Sequence, residues 1–400
     1  MENNTPLNSA MKNTNITPRL VIVLAVLLCA AGPARAGEDA WHKIALYKTH
    51  ILALVSDPAR SATLYAATAQ GLLKSLDAGA TWKGLGPGLP PDSPPRAVAI
   101  NPHNSKELYV GYDGLGLFKS FDGGQSWQAL NEGLPNLFVR CLAISPKDPN
   151  LIYLGILGGV AISSSGGKTW HMTSGFKRSV NVNTVVIDPQ NPQYLYAGTG
   201  GAGVFKSRNG GVSWMDFNEG LSSLSITSLH VDPGNSDIVL AGAYHPATPT
   251  DVYVGEASGG VFRSQDGGRT WQGSSLLNVH IFALAASPTH PNVMYTGAWG
   301  GVYRSVDNGL SWTDINAGLD NAFLHAIHVL PESPPVLLAG TTYGLISYTD
   351  FSLKAPEPGG GPGSLVYGLG GGAALGAMLG FLWFRRRRKR QIPDSQKPVW

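Results

Sequence analysis

Cysteine is nearly absent, two in 400 residues, which excludes a disulfide framework and a cysteine-rich zinc site. Charge is sparse as well, at 14% of residues against 43% hydrophobic, so the chain is too apolar to be disordered. The body also lacks a positive surplus. The formal net charge is +3, but three of the 29 basic residues lie in 1–36 and seven in 385–400, against one acidic residue in each end. Between the ends stand 19 basic and 24 acidic residues. That balance excludes nucleic-acid binding, which needs a cationic surface to neutralise phosphates. Glycine is the residue in excess: there are 51, with 28 prolines and no collagen period, roughly 13% against a usual ~7%. An all-β chain with many tight turns is expected, not a helix bundle.

The two ends read as targeting and membrane segments. Lys12 and Arg19 precede the apolar run Leu20–Ala31, and Ala34-Arg35-Ala36 follows. This is the layout of a signal peptide cut after Ala36, with either Met1 or Met11 as the start. Leu28 before Cys29 does not fit a lipoprotein signal, and the cut would leave Cys141 as the sole thiol. After a Pro/Gly linker (354–364), residues 365–384 are uncharged and mostly apolar. Twenty helical residues span about 30 Å, the thickness of the hydrocarbon core. Six cations, Arg385 to Arg390, follow at once, which places the tail 385–400 in the cytoplasm and the body outside a plasma membrane. Gly368, Gly372, Gly376 and Gly380 recur every four residues, a stripe suited to helix pairing and a homodimer. Pro356-Glu357-Pro358, the apolar stretch and the arginine cluster together resemble the C-terminal sorting signal read by exosortases in Gram-negative bacteria. The ten residues after the cluster depart from that pattern.

The body is a repeat. Ser75-Leu-Asp77-Ala-Gly79-Ala-Thr81-Trp82 aligns with Ser120–Trp127, Ser163–Trp170, Ser207–Trp214, Ser264–Trp271 and Ser305–Trp312. The tryptophans Trp82, Trp127, Trp170, Trp214, Trp271 and Trp312 are 45, 43, 44, 57 and 41 residues apart. Upstream of each frame come an alternating apolar run, an Asn-Pro-like turn, a second apolar run and a Gly-rich connection, as in Arg96–Ser120. Those runs read as strands A, B and C, with strand D after the tryptophan, one propeller blade per ~44 residues. In the frame the acidic residue accepts backbone N–H groups, glycine supplies positive φ, and tryptophan covers the blade edge. Asp77, Asp122, Asp266 and Asp307 hold the acceptor position, with Ser165 and Asn209 replacing aspartate in two copies. A seventh A–B–C set follows Trp312 without a tryptophan of its own, while Trp41 precedes Trp82 by 41 residues. Trp41–Ala45 is therefore expected to supply the missing strand D and close a seven-bladed ring over 37–353.

The frame Ser-x-Asp-x-Gly-x-Thr-Trp resembles the Asp-box (BNR) repeat of sialidases, sortilin-type receptors, xyloglucanases and the photosystem II stability/assembly factor group. One propeller behind a signal segment is most similar to the last of these, and the resemblance implies a partner-binding protein without a cofactor. Sialidases imply an arginine triad, a Tyr–Glu pair, an acid Asp and a Phe/Tyr-Arg-Ile-Pro motif; that motif is absent, and too few arginines are well placed for a carboxylate clamp. Arg208, Arg263, Arg269 and Arg304 sit in or beside the frames. Histidine spacing gives no metal motif. A glycoside hydrolase, sialidase-like or xyloglucanase-like, and a sortilin-like ligand receptor remain as alternatives.

The A–B turns and frame turns share one rim, so the D–A and B–C connections form the candidate binding rim. In strand A, Ala97 and its equivalents Ala53, Cys141, Thr184, Ser228, Ala283 and Ala326 are all small, as crowded packing requires, and Cys141 reads as buried filler. One residue earlier stand Leu52, Arg96, Arg140, Asn183, Thr227, Phe282 and His325, variable and often polar, as expected of a ring around the channel mouth. Arg96 and Arg140, with Trp299 and Tyr343 from B–C connections, suit an acidic or C-terminal peptide segment of a protein partner or membrane complex. The widened fifth repeat places Tyr244, His245 and Asp251 in a B–C insertion on the same rim. No catalytic, metal or cofactor residue is expected.

Overall fold

The computed structural model describes residues 40–177, 180–244, 259–319 and 323–353. The expected signal segment, the linker, the apolar stretch 365–384 with its glycine stripe, and the basic tail lie outside the described residues. Among the described residues no helix is long and apolar enough to cross a membrane.

Those residues form seven four-stranded sheets, and the chain is an all-β, seven-bladed propeller. Blade two shows the pattern. Strands Pro95–Asn101, Asn104–Tyr112, Gly116–Ser120 and Gln128–Ala129 pair in sequence order, each antiparallel to the next. Blade seven is assembled from both ends of the domain. Strand His42–Ala45 pairs with Gly344–Thr349 as the outermost strand of the sheet built by Leu324–Leu330 and Val336–Thr341. Trp41 is buried there, 5% exposed, stacked on Tyr348 at 5.2 Å and donating Nε1–H to the Ile315 carbonyl at 2.7 Å.

The glycine excess has a use between blades. The small strand-A residue faces a strand-B glycine in six blades, as in Ala97 opposite Gly111 and Thr184 opposite Gly198. A Cβ on Gly111 would lie 2.5 Å from Val139, and one on Gly198 2.5 Å from Ile226. Each of these glycines therefore receives the first core residue of the next blade. The contact repeats at the seam, where a Cβ on Gly340 would lie 2.6 Å from Ile51 of blade one. Cys141 takes the small-residue position of blade three, fully buried, and burial pushes its thiol up to about 12. It is filler.

The frame turns join strands C and D. The Asp77 carboxylate accepts the Thr81 N–H at 2.8 Å and the Ser75 hydroxyl at 2.7 Å. Hydrogen bonds from the Thr81 side chain and backbone hold its carboxyl below the usual carboxylate range. Gly79 has φ +94°, a conformation glycine adopts without strain. Asn209 keeps the geometry by accepting Ser213 N–H at 3.0 Å, and Ser165 by accepting Thr169 N–H at 2.9 Å. Each turn is tied to the A–B end of its own blade, for example Gly123 N–H to the Lys106 carbonyl at 2.9 Å. D–A and B–C connections are tied likewise, for example Gly114 N–H to the Leu137 carbonyl at 3.0 Å. The two rims are thus distinct.

Candidate binding site

The seven variable strand-A residues share a backbone cause. In every blade the A–B ladder skips one residue at the start of strand A, between Ile51 and Ala53, Pro95 and Ala97, Val139 and Cys141, and so on around the ring. The skipped residue is Leu52, Arg96, Arg140, Asn183, Thr227, Phe282 or His325. A bulge re-aims a side chain out of the pleat, and here it directs seven side chains into one recess of about 270 Å³. Asp113, from the B–C connection of blade two, completes the lining.

The polar members of this ring differ in what they already hold. Asn183 Nδ2–H donates to the Ile226 carbonyl at 2.9 Å, and Thr227 Oγ1–H to the Ile281 carbonyl at 2.7 Å. Both residues staple their blade to the next. Arg96 Nε–H donates to Asp113 Oδ2 at 2.8 Å. Arg140 Nε stands 3.8 Å from Asp113 Oδ1, close enough for an ion pair but too far for a hydrogen bond. Arg140 Nε and Asp113 Oδ1 are both shielded from solvent, with no hydrogen-bond partner among the described residues.

Across the recess the character is aromatic. His325 lies 5.5 Å from Phe282 and 4.3 Å from His50, ring centre to ring centre. Phe282 leads to Tyr244 at 6.2 Å, Tyr244 to His280 at 4.6 Å, His280 to Trp299 at 5.3 Å, and Trp299 to Phe323 at 5.2 Å. The arc runs from the recess outward over blades five to seven and ends on Phe323, beside Trp299, which is 51% exposed. Burial, then His50 and Arg96, lower the His325 pKa to about 4, and burial with Arg96 also lowers that of His50. Near neutral pH both rings are uncharged, so the recess carries two guanidinium groups and one carboxylate.

The structure thus joins Arg96, Arg140, Phe282 and His325 in one recess and links Tyr244 and Trp299 to it through the arc. Tyr343, 63% exposed, lines a separate groove of about 140 Å³ beside Trp41, Lys43 and Tyr47. His245 and Asp251 lie outside the described residues. Sequence reasoning missed Asp113, His50, His280 and Phe323. The last three had a usable signal: they stand two residues before a ring position, where period-two alternation returns to the same side of the strand. His328, three residues after His325, points elsewhere and hydrogen-bonds through Nε2 with Ser56 Oγ of blade one at 2.9 Å. Among the described residues no group of three or more His, Cys, Asp or Glu is placed to hold a metal ion.

No family model and no curated protein matches this sequence. Solved structures do. The chain is similar to the GH74 xyloglucanase from Xanthomonas campestris, at 19% identity and TM-score 0.63 over 79% of this chain and 54% of that one. It is similar to YCF48 bound to D1 peptide, at 18% identity and TM-score 0.59 over 78% of this chain and 97% of that one. YCF48 from Cyanidioschyzon merolae gives 15% and 0.56 over 78% of this chain and 100% of that one. What they share is the propeller fold. The chain spans about half the length of the xyloglucanase and nearly all of both YCF48 chains. At such identities the likeness extends to the fold and not to an activity.

Proposed function

We propose that this chain is an Asp-box propeller acting as a non-enzymatic protein-binding or assembly scaffold, tethered by residues 365–384 on the outer side of a bacterial plasma membrane. The observation that carries the reading is the mouth recess, where Arg96 and Arg140 from adjacent blades face an aromatic arc. Guanidinium groups pair with carboxylates, and aromatic faces take up apolar side chains and chain contacts. An acidic or C-terminal peptide segment combines both features. The similarity to YCF48 bound to D1 peptide, which this chain covers almost end to end, supports a peptide occupant. Tethering rests on the length of the apolar stretch and the cations that follow it.

The test is co-purification from detergent-solubilised membranes, comparing wild type with the double variant Arg96→Ala, Arg140→Ala. The variant should keep its thermal midpoint and lose the partner. An unchanged set of co-purifying proteins rejects the recess as the docking place, and recovery of wild type in the soluble fraction rejects the tether. A glycoside hydrolase requires two facing carboxylates. Asp113 is the one carboxylate among the described residues lining the recess, and Arg96 already holds it. Turnover of any member of a fluorogenic glycoside panel by the purified protein would reverse the reading.

A further inference from the structure

Two of the seven bulge positions, Leu52 and Phe282, are apolar, and two more, Asn183 and Thr227, already use a side-chain donor on the backbone of the next blade. The ring of His325 is shared with Thr342 Oγ1 at 3.3 Å. Of the two arginines, Arg96 is gripped by Asp113 at 2.8 Å, whereas Arg140 makes no hydrogen bond among the described residues. Arg140 is about two-fifths exposed and its side chain lines the recess.

The position of Asp113 bears on what can bind. Its Oδ2 holds Arg96, and its Oδ1 faces Arg140 at 3.8 Å without reaching it. The carboxylate holds the Arg96 guanidinium through Nε–H and leaves that of Arg140 without a hydrogen bond, and it cancels one of the two positive charges. A ligand that replaced Asp113 would have to strip Arg96 of its partner. A ligand that leaves Asp113 in place meets the Arg140 guanidinium, ion-paired at 3.8 Å but not hydrogen-bonded, with a negative charge beside it. Coulomb repulsion from that charge grows in proportion to the ligand's own charge, so a dianion is penalised about twice as much as a monoanion. On the other side of the recess Phe282 and the uncharged rings of His50 and His325 offer an apolar surface. Both halves border the same 270 Å³, so one small group can touch both.

We infer that Arg140 anchors a single carboxylate carried next to an apolar or aromatic side chain, and that Asp113 is a charge filter that weakens phosphate-bearing groups more than carboxylates. The inference rests on the peptide-binding reading above and deepens it. Asp113 is a positioning residue: it acts through Arg96 and Arg140 and need not touch the ligand. The carboxylate can belong to a chain terminus or to an acidic side chain, and the probes separate these sources.

The full-length protein in detergent is titrated with four probes: N-acetylphenylalanine, its primary amide, N-acetylglutamyl-phenylalaninamide and phenyl phosphate. Binding is followed by ligand-observed NMR and calorimetry at pH 8, where phenyl phosphate is a dianion. Wild type should bind N-acetylphenylalanine or the glutamyl compound at least about tenfold more tightly than the amide, and the tighter of the two identifies the source of the carboxylate. Arg140→Gln should abolish the preference over the amide. Asp113→Asn should shift the phosphate-to-carboxylate affinity ratio about tenfold toward phosphate, a readout that mere loss of stability would not move. The ratio staying where it is in Asp113→Asn, or Arg140→Gln binding like wild type, overturns the inference, as does wild type binding no probe at about 20 mM. Failure here is separable from failure of the scaffold reading. A partner lost from the double arginine variant with an unmoved ratio leaves the scaffold and removes the filter, whereas probes that obey the ratio with no co-purifying partner do the reverse.

Discussion

Replacing Trp41 with alanine tests ring closure at one residue. Trp41 is the anchor of a strand with only three paired residues, His42, Lys43 and Ala45. Its indole is 5% exposed and stacks on Tyr348 at 5.2 Å. An indole of this burial removes about 200 Å² from water, worth about 5 kcal/mol at ~25 cal/mol per Å². A compact unfolded state lowers that to about 3–4.5 kcal/mol. The Nε1–H bond to the Ile315 carbonyl at 2.7 Å adds about 1 kcal/mol. The sum, roughly 4–5 kcal/mol, matches the range of aromatic-to-alanine changes in cores and is a large share of the stability of an ordinary domain. Urea unfolding followed by circular dichroism reads it, and the midpoint of thermal unfolding should fall by about 10 °C. Trp82→Ala in blade one is the control. Trp82 is only half-buried and bonds locally to the Gly79 carbonyl at 2.8 Å, so its loss should cost less. A Trp41→Ala protein within about 1 kcal/mol of wild type, or one more stable than Trp82→Ala, refutes the account of closure.

Gly198→Ala should destabilise by about 1–3 kcal/mol in the same urea assay, because its Cβ would lie 2.5 Å from Ile226 and 2.8 Å from Thr184. Gly84→Ala, whose nearest neighbour would be 4.0 Å away, should be neutral, and equal effects would discount the interlock between blades. Burial lowers the His328 pKa from 6.5 to about 4, so between those values the unfolded chain binds a proton that the folded chain does not. Stability should therefore be full above pH 6.5 and decline as pH falls toward 4. His328→Asn should flatten that acid limb between pH 7 and pH 5, and an unchanged slope would assign it to other groups. If the glycine stripe pairs two apolar segments, Gly372→Leu with Gly376→Leu should abolish cross-linking in the membrane while leaving insertion intact. Cross-linking at the wild-type level, or a mature protein lacking this segment, rejects the dimer.

The architecture was legible because blade physics imposes the same demand six times. Each frame turn needs an acceptor, a left-handed glycine and an edge tryptophan, and Asn209 and Ser165 show that the acceptor, not the charge, is what the turn requires. The ring of variable residues was legible for the opposite reason: at Leu52, Arg96 and their counterparts packing imposes no common side chain, so the residues diverge. The bulge that explains this was not legible, since a skipped ladder position leaves no mark in an alternating apolar run. Asp113 was hidden too. Tyr112-Asp-Gly-Leu reads as an ordinary turn, and only the fold brings its carboxylate between two arginines on different blades. Tyr343 shows the converse, an aromatic residue on the expected rim that faces a different groove.

The closing strand sets an order of events during synthesis. Trp41 and its partner Ile315 are 274 residues apart, so the strand made first waits for the sheet made last. At about 5–20 residues per second that wait is on the order of tens of seconds, during which six blades can stack while the ends of the array remain open. Loop-closure entropy must be met before such a distant pairing returns any contact energy. Final annealing of His42–Ala45 onto Gly344–Thr349 therefore reports that the whole chain has arrived. A product stopped short of Gly340 has no edge for the waiting strand to join, and quality-control proteases would see it as an open arc with Ile51 uncovered at one end.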